Sequence, residues 1–292
     1  MVHAFSTYRR RNLQKMDNPA KHSITPVITS RTSSSLPTAQ YIVPDCFRSY
    51  RGLIALQSTR NGGISDGAFS SLNLGRNTGD RPEQIEKNIQ RLCASAAINP
   101  ECLVTSRQVH GTAILFAEKP GNYDGYDAFI TDRKNLFLCI FTADCYPVLL
   151  YDPRHQASGA VHAGWKGSAG GIVTKTIEAM KKRFNTLPEE CLAYIGTGIS
   201  REAYEVGREV ALEFPTGSYQ CTPDRNNEEK YVLDLAEVNN QQLLASGIPP
   251  ANIERSPFCS VGDSNLFFSH RRDHGNTGRM VSLIGVTQNE RA

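Results

Sequence analysis

Three segments of the sequence combine a reactive side chain with small, turn-forming neighbours. They are SRQVHG at 106–111, TADC at 142–145 and VHAGWKG at 161–167. Their reactive side chains are His110, Cys145 and His162, and we expect each to fall where a strand gives way to a turn. Two imidazoles and one thiolate are a common ligand set for Zn²⁺. These three residues are therefore candidate metal ligands and candidate catalytic residues.

Three protein ligands leave one position on a zinc ion open for water or substrate, as a catalytic site requires. Such an ion lowers the pKa of its bound water to about 7 and keeps a cysteine ligand deprotonated. The gaps of 35 and 17 residues between the three side chains match no short zinc motif. A cysteine after a strand is also typical of core packing, so the residue types alone leave a structural role open.

Short strands and amphipathic helices must position these side chains. Apolar runs predict strands at 113–116, 127–131, 136–141, 148–151, 157–161 and 192–195. Helical spacing predicts helices at 82–97, 170–184 and 234–246, and a further one marked by Val206, Val210 and Phe214. Asp80 and Glu83 predict a capping box for the first helix. Residues 216–230 are polar and predict a surface excursion. Together these elements predict one α+β (mixed α/β) domain.

The composition is that of an ordinary soluble globular protein and excludes several functional classes. The chain has 292 residues, of which 39% are hydrophobic and 21% charged, and its net charge is +3. Its longest apolar run, 136–141, is too short to cross a bilayer, so we expect no membrane partner. Six Lys and Arg residues lie in 1–40, which leaves the remainder close to neutral and predicts no nucleic-acid binding.

The two ends of the chain differ from its body. Residues 1–40 are basic and rich in Ser and Thr, which predicts a disordered leader. An Arg-rich, acid-poor leader is also typical of an organelle transit peptide. We expect a catalytic domain over 41–287 and a flexible tail over 288–292. The eight cysteines include no Cys-x-x-Cys pair and no signal peptide precedes them, which predicts reduced thiols in the cytoplasm. A monomer is the default expectation.

Seven stretches carry a resemblance to a known family. They are TRNGGIS at 59–65, SLNLG at 71–75, QVHG at 108–111, TADCYPVL at 142–149, HAGWKG at 162–167, YEVG at 204–207 and FFSHRRD at 267–273. Through their order and number, residues 52–285 resemble the YfiH/YlmD-like laccase-domain family of purine nucleoside phosphorylases. The resemblance implies a single α+β unit with mixed β-sheets flanked by helices. It also places the family's His-Cys-His zinc site on His110, Cys145 and His162.

The resemblance further implies an activity and its partners. It implies a zinc enzyme that uses phosphate to cleave the purine nucleosides adenosine, inosine and S-methyl-5'-thioadenosine. The products are the free base and ribose 1-phosphate or its methylthio analogue, and the enzyme also deaminates adenosine. Predicted contacts to phosphate or substrate are Arg60, Lys166, His270 and Arg271. Lys166 stands where the family commonly has arginine, and a lysine holds an anion as a point charge, without the planar fork of a guanidinium.

Three other functions remain open at this stage. A copper-dependent polyphenol oxidase would need many imidazoles for a trinuclear cluster, and the body of the chain has only five histidines, although a single copper ion could replace zinc. A cysteine hydrolase would use Cys145 as its nucleophile and His162 as its base. A binding module in which the metal only stabilises the fold would have no enzymatic activity, although a chain of this length does not need a metal in order to fold.

Overall fold

Sixteen strands and five α-helices form the computed structural model over the residues that it describes, which are 28–29, 38–223 and 229–288. The strands in chain order are β1 (Ile28–Thr29), β2 (Tyr41–Ile42), β3 (Leu53–Ser58), β4 (Leu103–Arg107), β5 (Ile114–Phe116), β6 (Gly121–Asp124), β7 (Ala128–Thr131), β8 (Phe137–Thr142), β9 (Tyr146–Asp152), β10 (Ala157–Ala163), β11 (Leu192–Ile195), β12 (Glu205–Val206), β13 (Tyr219–Pro223), β14 (Glu229–Leu233), β15 (Ile253–Arg255) and β16 (Met280–Val286). The helices are α1 (Pro82–Ala96), α2 (Trp165–Ala169), α3 (Ile172–Phe184), α4 (Arg208–Ala211) and α5 (Leu235–Ala245).

The strands pair into two large sheets and one small one. The seven-stranded sheet has the order β1-β2-β3-β16-β8-β4-β6, and the six-stranded sheet has the order β15-β11-β9-β10-β7-β5. The third sheet has the order β12-β14-β13. In the seven-stranded sheet β8 is parallel to β4 and antiparallel to β16. In the six-stranded sheet β11 is parallel to β15 and antiparallel to β9. The predicted α+β fold with mixed sheets is therefore confirmed.

The two large sheets pack face to face, and helices cover their outer faces. Apolar side chains of β4, β8 and β16 meet those of β7, β9 and β10 in the core between the sheets. The helix α1 packs on the outer face of the seven-stranded sheet, and α3 and α5 pack on that of the six-stranded sheet. In β8, Leu138 and Ile140 face the other sheet, whereas Phe137 and Cys139 face α1. Because both faces of this strand are covered, residues 137–141 are apolar without interruption.

Most of the predicted elements are present. The predicted strands that lead to Cys145 and His162 are confirmed, as are the helices at 82–97 and 234–246, which are α1 and α5. The strand before His110, β4, was not predicted. The predicted helix at 170–184 begins at Ile172, after Gly171 with a φ of 72°. A separate short helix, Trp165–Ala169, precedes it. No helix in the described part of the chain is long and apolar enough to span a membrane.

Two local predictions are wrong. Val206 belongs to a strand, and only Arg208–Ala211 are helical after it. Asp80 does not cap α1, because its carboxylate accepts hydrogen bonds from Ser65 and Asn73 while α1 begins at a proline. The polar region 216–230, predicted to be a surface excursion, contributes β13 and the beginning of β14, which pair on the two sides of the undescribed residues 224–228, and the described residues at 216–221 and 229–230 are exposed or half-buried.

The predicted leader and tail lie almost entirely outside the described residues. Within the predicted leader, the structure describes only 28–29 and 38–40. Residues 28–29 form β1, which pairs antiparallel with β2, and Ala39 is completely buried. Part of this segment therefore adds to the seven-stranded sheet. Of the predicted tail only Gln288 is described, and its backbone N–H donates a hydrogen bond to Asn135.

Candidate metal centre

The structure brings His110, Cys145 and His162 together where the two large sheets meet. Their ligand atoms all lie within 4.8 Å of one another. His110 follows β4, and Cys145 lies in the turn that carries the chain from β8 in one sheet to β9 in the other. His162 reaches the same place because the register of β10 on β9 pairs it with Pro147, two residues after Cys145. Strand order and register therefore bring together residues that are far apart in the sequence.

The donor set and its spacing fit a zinc ion. Around a tetrahedral zinc, nitrogen and sulfur donors stand roughly 3.3–3.6 Å apart, so donor atoms within 4.8 Å of one another need only a small closing movement. No other group of three or more His, Cys, Asp or Glu side chains in the described residues has this spacing. His162 is almost completely buried, Cys145 is partly buried and His110 is exposed. The cluster thus has one open side, which a catalytic ion requires.

One buried carboxylate, that of Asp127, hydrogen-bonds to the ring of His162 and to the backbone of His110. Asp127 is completely buried, and its Oδ1 lies 2.7 Å from Nδ1 of His162. A carboxylate only accepts, so Nδ1 of His162 donates, and its Nε2 is the nitrogen left for a metal. The same carboxylate accepts hydrogen bonds from the backbone N–H groups of Val109 at 3.2 Å, His110 at 2.9 Å and Gly111 at 2.7 Å. Asp127 therefore fixes one ligand directly and the loop that carries the other.

The turn that carries Cys145 is held by its neighbour Asp144. Asp144 has a φ of 91°, in the left-handed region. Its carboxylate accepts hydrogen bonds from the Ser260 hydroxyl at 2.6 Å and from the backbone N–H of Arg271 at 2.7 Å. Its backbone carbonyl accepts another from the N–H of Ile199 at 2.8 Å. These contacts compensate for an unfavourable backbone conformation and connect the cysteine to the segment 267–273.

The electrostatic environment favours a thiolate at Cys145. Burial raises the pKa of this thiol, but the charge of His162 and hydrogen bonds from both imidazoles lower it more, to about 6. By contrast, burial raises the pKa of Cys93 to about 12, and it also raises that of Cys139. The thiolate is the form of cysteine that binds metals. Among these three cysteines, Cys145 is the one whose surroundings suit a metal ligand.

A side chain at position 164 would crowd Cys145 and His110, because the backbone of Gly164 passes close to both. A Cβ atom at this position would lie 3.0 Å from Sγ of Cys145 and 3.0 Å from Cδ2 of His110. The φ of Gly164 is −75°, which any residue adopts, so the restriction is steric and specific to the site. The glycine in the HAGWKG stretch thus lets Cys145 and His110 lie close to the backbone of this loop.

Gly164→Ala is expected to weaken metal binding by about tenfold or more, because its methyl group displaces a ligand from its position. Metal affinity measured by competition with a chelator checks this. The control is Gly262→Ala, where the added methyl meets nothing closer than 3.6 Å. Unchanged metal affinity in Gly164→Ala would show that the two ligands do not hold an ion in this arrangement.

The cluster opens onto a cavity of about 610 Å³, within the range of small-molecule sites. His270 and Arg271, two of the predicted substrate contacts, line this cavity together with the three ligands. The other two predicted contacts do not line it. Arg60 donates to the backbone carbonyls of Ser70 and Ser264 and stacks on a phenylalanine ring, and Lys166 is exposed beside the Trp165 ring.

Several residues of this cavity were missed by the sequence interpretation. They are Arg76, Arg107, Thr142, Tyr204 and Arg279. Arg76 directly follows the SLNLG stretch, and Arg107, Thr142 and Tyr204 lie within quoted stretches, so proximity to these motifs was an available signal for four of them. Asp127 was also missed as a site residue. A single Asp before an apolar run has no feature in the sequence that separates it from a solvated turn residue.

Comparison with known proteins finds relatives along most of this chain. A sequence model of the family described as "Multi-copper polyphenol oxidoreductase laccase" matches residues 54–287. A purine nucleoside phosphorylase of Deinococcus radiodurans is 39% identical over 234 residues, which are 80% of this chain and 89% of that protein. A purine nucleoside phosphorylase of Bacteroides thetaiotaomicron is 36% identical over 251 residues, which are 82% of this chain and 93% of that protein.

Solved structures show the same architecture. The crystal structure of YlmD from Geobacillus stearothermophilus superposes with a TM-score of 0.80 at 31% identity, covering 90% of this chain and all of that one. The crystal structure of Bacillus licheniformis YfiH gives a TM-score of 0.79 at 32% identity, covering 87% of this chain and 98% of that one. On the strength of its sequence match and its fold, this chain belongs to the YfiH/YlmD family of laccase-domain proteins, several of which are named purine nucleoside phosphorylases.

Proposed function

We propose that this protein is a zinc-dependent purine nucleoside phosphorylase. In this proposal it cleaves adenosine, inosine and S-methyl-5'-thioadenosine with phosphate, and releases the free base and ribose 1-phosphate or 5-methylthioribose 1-phosphate. It also deaminates adenosine. The observation that carries the proposal is that a His-Cys-His cluster opens onto a cavity that arginine side chains also line. The names of the relatives support the phosphorylase class.

The chain's own residues prepare the ligands for a metal. Asp127 holds the proton of His162 on Nδ1, so Nε2 is free to bind. The imidazoles favour the thiolate of Cys145. When bound, a zinc ion supplies Lewis-acid polarisation, to phosphate in one reaction and to water in the other. One site with an open side can therefore serve both reactions.

We propose that arginine side chains on the cavity wall bind phosphate. Arg279 donates through Nη1 to two backbone carbonyls of its own segment, which fixes the direction of its guanidinium group. Arg271 packs its guanidinium 5.3 Å from the centre of the Tyr204 ring. A guanidinium held in this way presents paired N–H donors that suit a phosphate. Because Arg60 and Lys166 lie outside the cavity, they are not included in this phosphate site.

Thr142 and His270 are proposed to contact the nucleoside. The hydroxyl of Thr142 is buried in the cavity wall, and its Oγ1 has no hydrogen-bond partner among the described residues. A buried hydroxyl without a partner costs free energy that a hydrogen bond to bound substrate would recover. His270 lies on the same wall and is exposed, which leaves its ring accessible to a ligand.

The metal and the compartment are part of the same proposal. Imidazole and thiolate ligands suit zinc and also copper, so copper is a possible substitute in the isolated protein. All eight cysteines are free, which fits the reducing cytoplasm that we propose as the place of action.

Product analysis with and without phosphate tests the proposed function. The full-length protein is incubated with adenosine, inosine or S-methyl-5'-thioadenosine, and bases and sugar phosphates are identified by chromatography and mass spectrometry. We expect base release that depends on phosphate and yields a sugar 1-phosphate, with inosine or hypoxanthine also formed from adenosine. Base release at the same rate without phosphate would contradict phosphorolysis. No release from any of the three nucleosides would contradict the whole proposal and favour a binding module.

One geometric observation supports a second candidate, a cysteine hydrolase. The order Asp127, His162, Cys145 has the form of a catalytic triad, in which the carboxylate orients the imidazole and the imidazole activates the thiol. Such a triad needs one histidine, whereas here a second imidazole, that of His110, lies in the same cluster. The extra imidazole favours the metal enzyme, and it allows the two candidates to be separated by mutation.

A further inference from the structure

A second cavity, of about 420 Å³, lies between α1 and the outer face of the seven-stranded sheet. Most of its wall is apolar. The apolar wall residues are Leu74, Ile89, Leu92, Leu103, Phe141, Val281 and Leu283. The thiols of Cys93 and Cys139 also line it, and burial raises the pKa of each, so both are uncharged at neutral pH. The cavity therefore suits an apolar group.

Strand β4 runs from this apolar cavity to the catalytic cavity. Leu103, Thr105 and Arg107 alternate along β4 and therefore lie on the same face of the sheet. Leu103 lines only the apolar cavity, Thr105 lines both, and Arg107 lines only the catalytic cavity. Since two residues of a strand span about 6.6 Å, one side-chain step separates the two cavities.

Two neighbouring strands show the same progression. Along β8 and the residue after it, Cys139 lines the apolar cavity, Phe141 lines both and Ala143 lines the catalytic cavity. Along the antiparallel β16, Val281 lines the apolar cavity and Arg279, two residues earlier, lines the catalytic cavity. The register pairs Val281 with Phe141, so these side chains lie side by side. The two cavities are thus consecutive parts of one trough on the outer face of the sheet.

The polar and apolar parts of the trough match one class of nucleoside. The catalytic end carries the metal ligands and arginines, where phosphate and the sugar must meet. The adjoining end offers no charged group except at its rim, where Arg76 pairs with Glu86 at 3.4 Å and Glu101 is exposed. A nucleoside with an apolar substituent on its sugar would bury that substituent at the apolar end while its glycosidic bond stays at the catalytic end.

We propose that the apolar cavity binds the 5′-alkylthio substituent of purine nucleosides, and that the enzyme favours 5′-thioethers with chains longer than methyl. This inference rests on the proposed phosphorylase function and adds a substrate class to it. Burying each additional methylene contributes about 0.8 kcal/mol, which corresponds to about fourfold in kcat/KM. The gain continues until the chain reaches the end of the cavity.

A chain-length series tests the proposal. The kcat/KM for phosphorolysis is measured for 5′-methylthio-, ethylthio-, propylthio- and butylthioadenosine, and for adenosines with the same alkyl groups on N6. We expect kcat/KM to rise by about three- to fourfold with each methylene in the 5′ series and to stay flat in the N6 series. A flat or falling 5′ series, or a rise confined to the N6 series, would overturn the proposal.

A filling substitution provides the matched test. Leu103→Trp places a larger side chain in the apolar cavity from a half-buried position. We expect it to abolish the chain-length dependence, which is a ratio of rates within one variant and so is insensitive to a general loss of folded enzyme. The control Leu115→Trp makes the same change at another half-buried strand position outside both cavities and should keep the dependence.

The outcomes distinguish failure of the proposed binding site for the 5′ substituent from failure of the phosphorylase function. If Leu103→Trp keeps the chain-length dependence of the parent, the apolar cavity is not the binding site and the inference is wrong, although phosphorolysis itself stands. If no nucleoside of either series is cleaved, both the phosphorylase function and this inference are overturned.

Discussion

Cys145→Ala is expected to remove the bound metal and to reduce phosphorolysis and deamination by on the order of 10³-fold, since the Lewis acid that both reactions share contributes several kcal/mol. The thiolate is one of three donors within 4.8 Å of one another, and two imidazoles alone hold an ion more weakly. Metal content by mass spectrometry and kcat/KM for adenosine with phosphate are the measurements. Both should fall together in this variant.

Two further variants make the experiment specific. Cys221→Ala changes an exposed cysteine that lines neither cavity and should leave metal content and activity unchanged. His110→Ala removes the imidazole that a cysteine hydrolase does not need, and we expect it to lower activity as severely as Cys145→Ala does. Activity that survives in His110→Ala but not in Cys145→Ala would favour the hydrolase. Loss of zinc in Cys145→Ala with both activities intact would refute the shared metal site.

Asp127→Asn is expected to lower metal affinity by about 10- to 100-fold, the usual effect of losing a carboxylate that orients a histidine ligand. The Asp127 carboxylate accepts hydrogen bonds from the His162 ring and from three backbone N–H groups. An amide has one oxygen, and its NH₂ group would face donors, so at least one buried N–H would lose its partner. That loss should cost about 1–3 kcal/mol of unfolding free energy as well.

The two effects of this substitution are measured separately. Chelator competition gives the metal affinity, and urea unfolding of the metal-free protein gives the stability. The control is Asp66→Asn, in which the replaced carboxylate is highly exposed and paired with Arg81. Asp66→Asn should change neither quantity appreciably, because exposed ion pairs contribute little. Wild-type metal affinity in Asp127→Asn would show that this carboxylate does not position the ligands.

The sequence predicted the reactive residues because their chemistry is local. Cys145 and His162 each follow a strand whose apolar pattern is visible without a structure, whereas the strand before His110 has no such pattern. The α+β class follows from the pattern of strands and helices, and the mixed sheets were implied by the family resemblance. What brings the three together is the register of β10 on β9 and the crossing of the chain between sheets at Cys145, and neither is encoded in a short pattern. For this reason the spacing of 35 and 17 residues left the metal site undecided.

The parts of the site that the sequence interpretation missed depend on long-range packing. Asp127 acts on His110 and His162 only because β7 lies beside β10 in the six-stranded sheet. Arg279 reaches the cavity from the far end of the chain because β16 is inserted between β3 and β8. Conversely, Arg60 belongs to one of the quoted stretches, but its guanidinium is engaged with backbone carbonyls. Membership of a motif therefore did not distinguish a substrate contact from a structural one.

X-ray absorption at the zinc edge, on protein purified without added metal, tests most directly whether these three side chains hold one ion. We predict about one zinc per chain, with two nitrogen ligands at about 2.0–2.1 Å, one sulfur ligand at about 2.3 Å and one further light atom. The sulfur contribution should disappear in Cys145→Ala and persist in Cys221→Ala. A stoichiometric metal with no sulfur neighbour, or an active enzyme with no metal, would contradict the account.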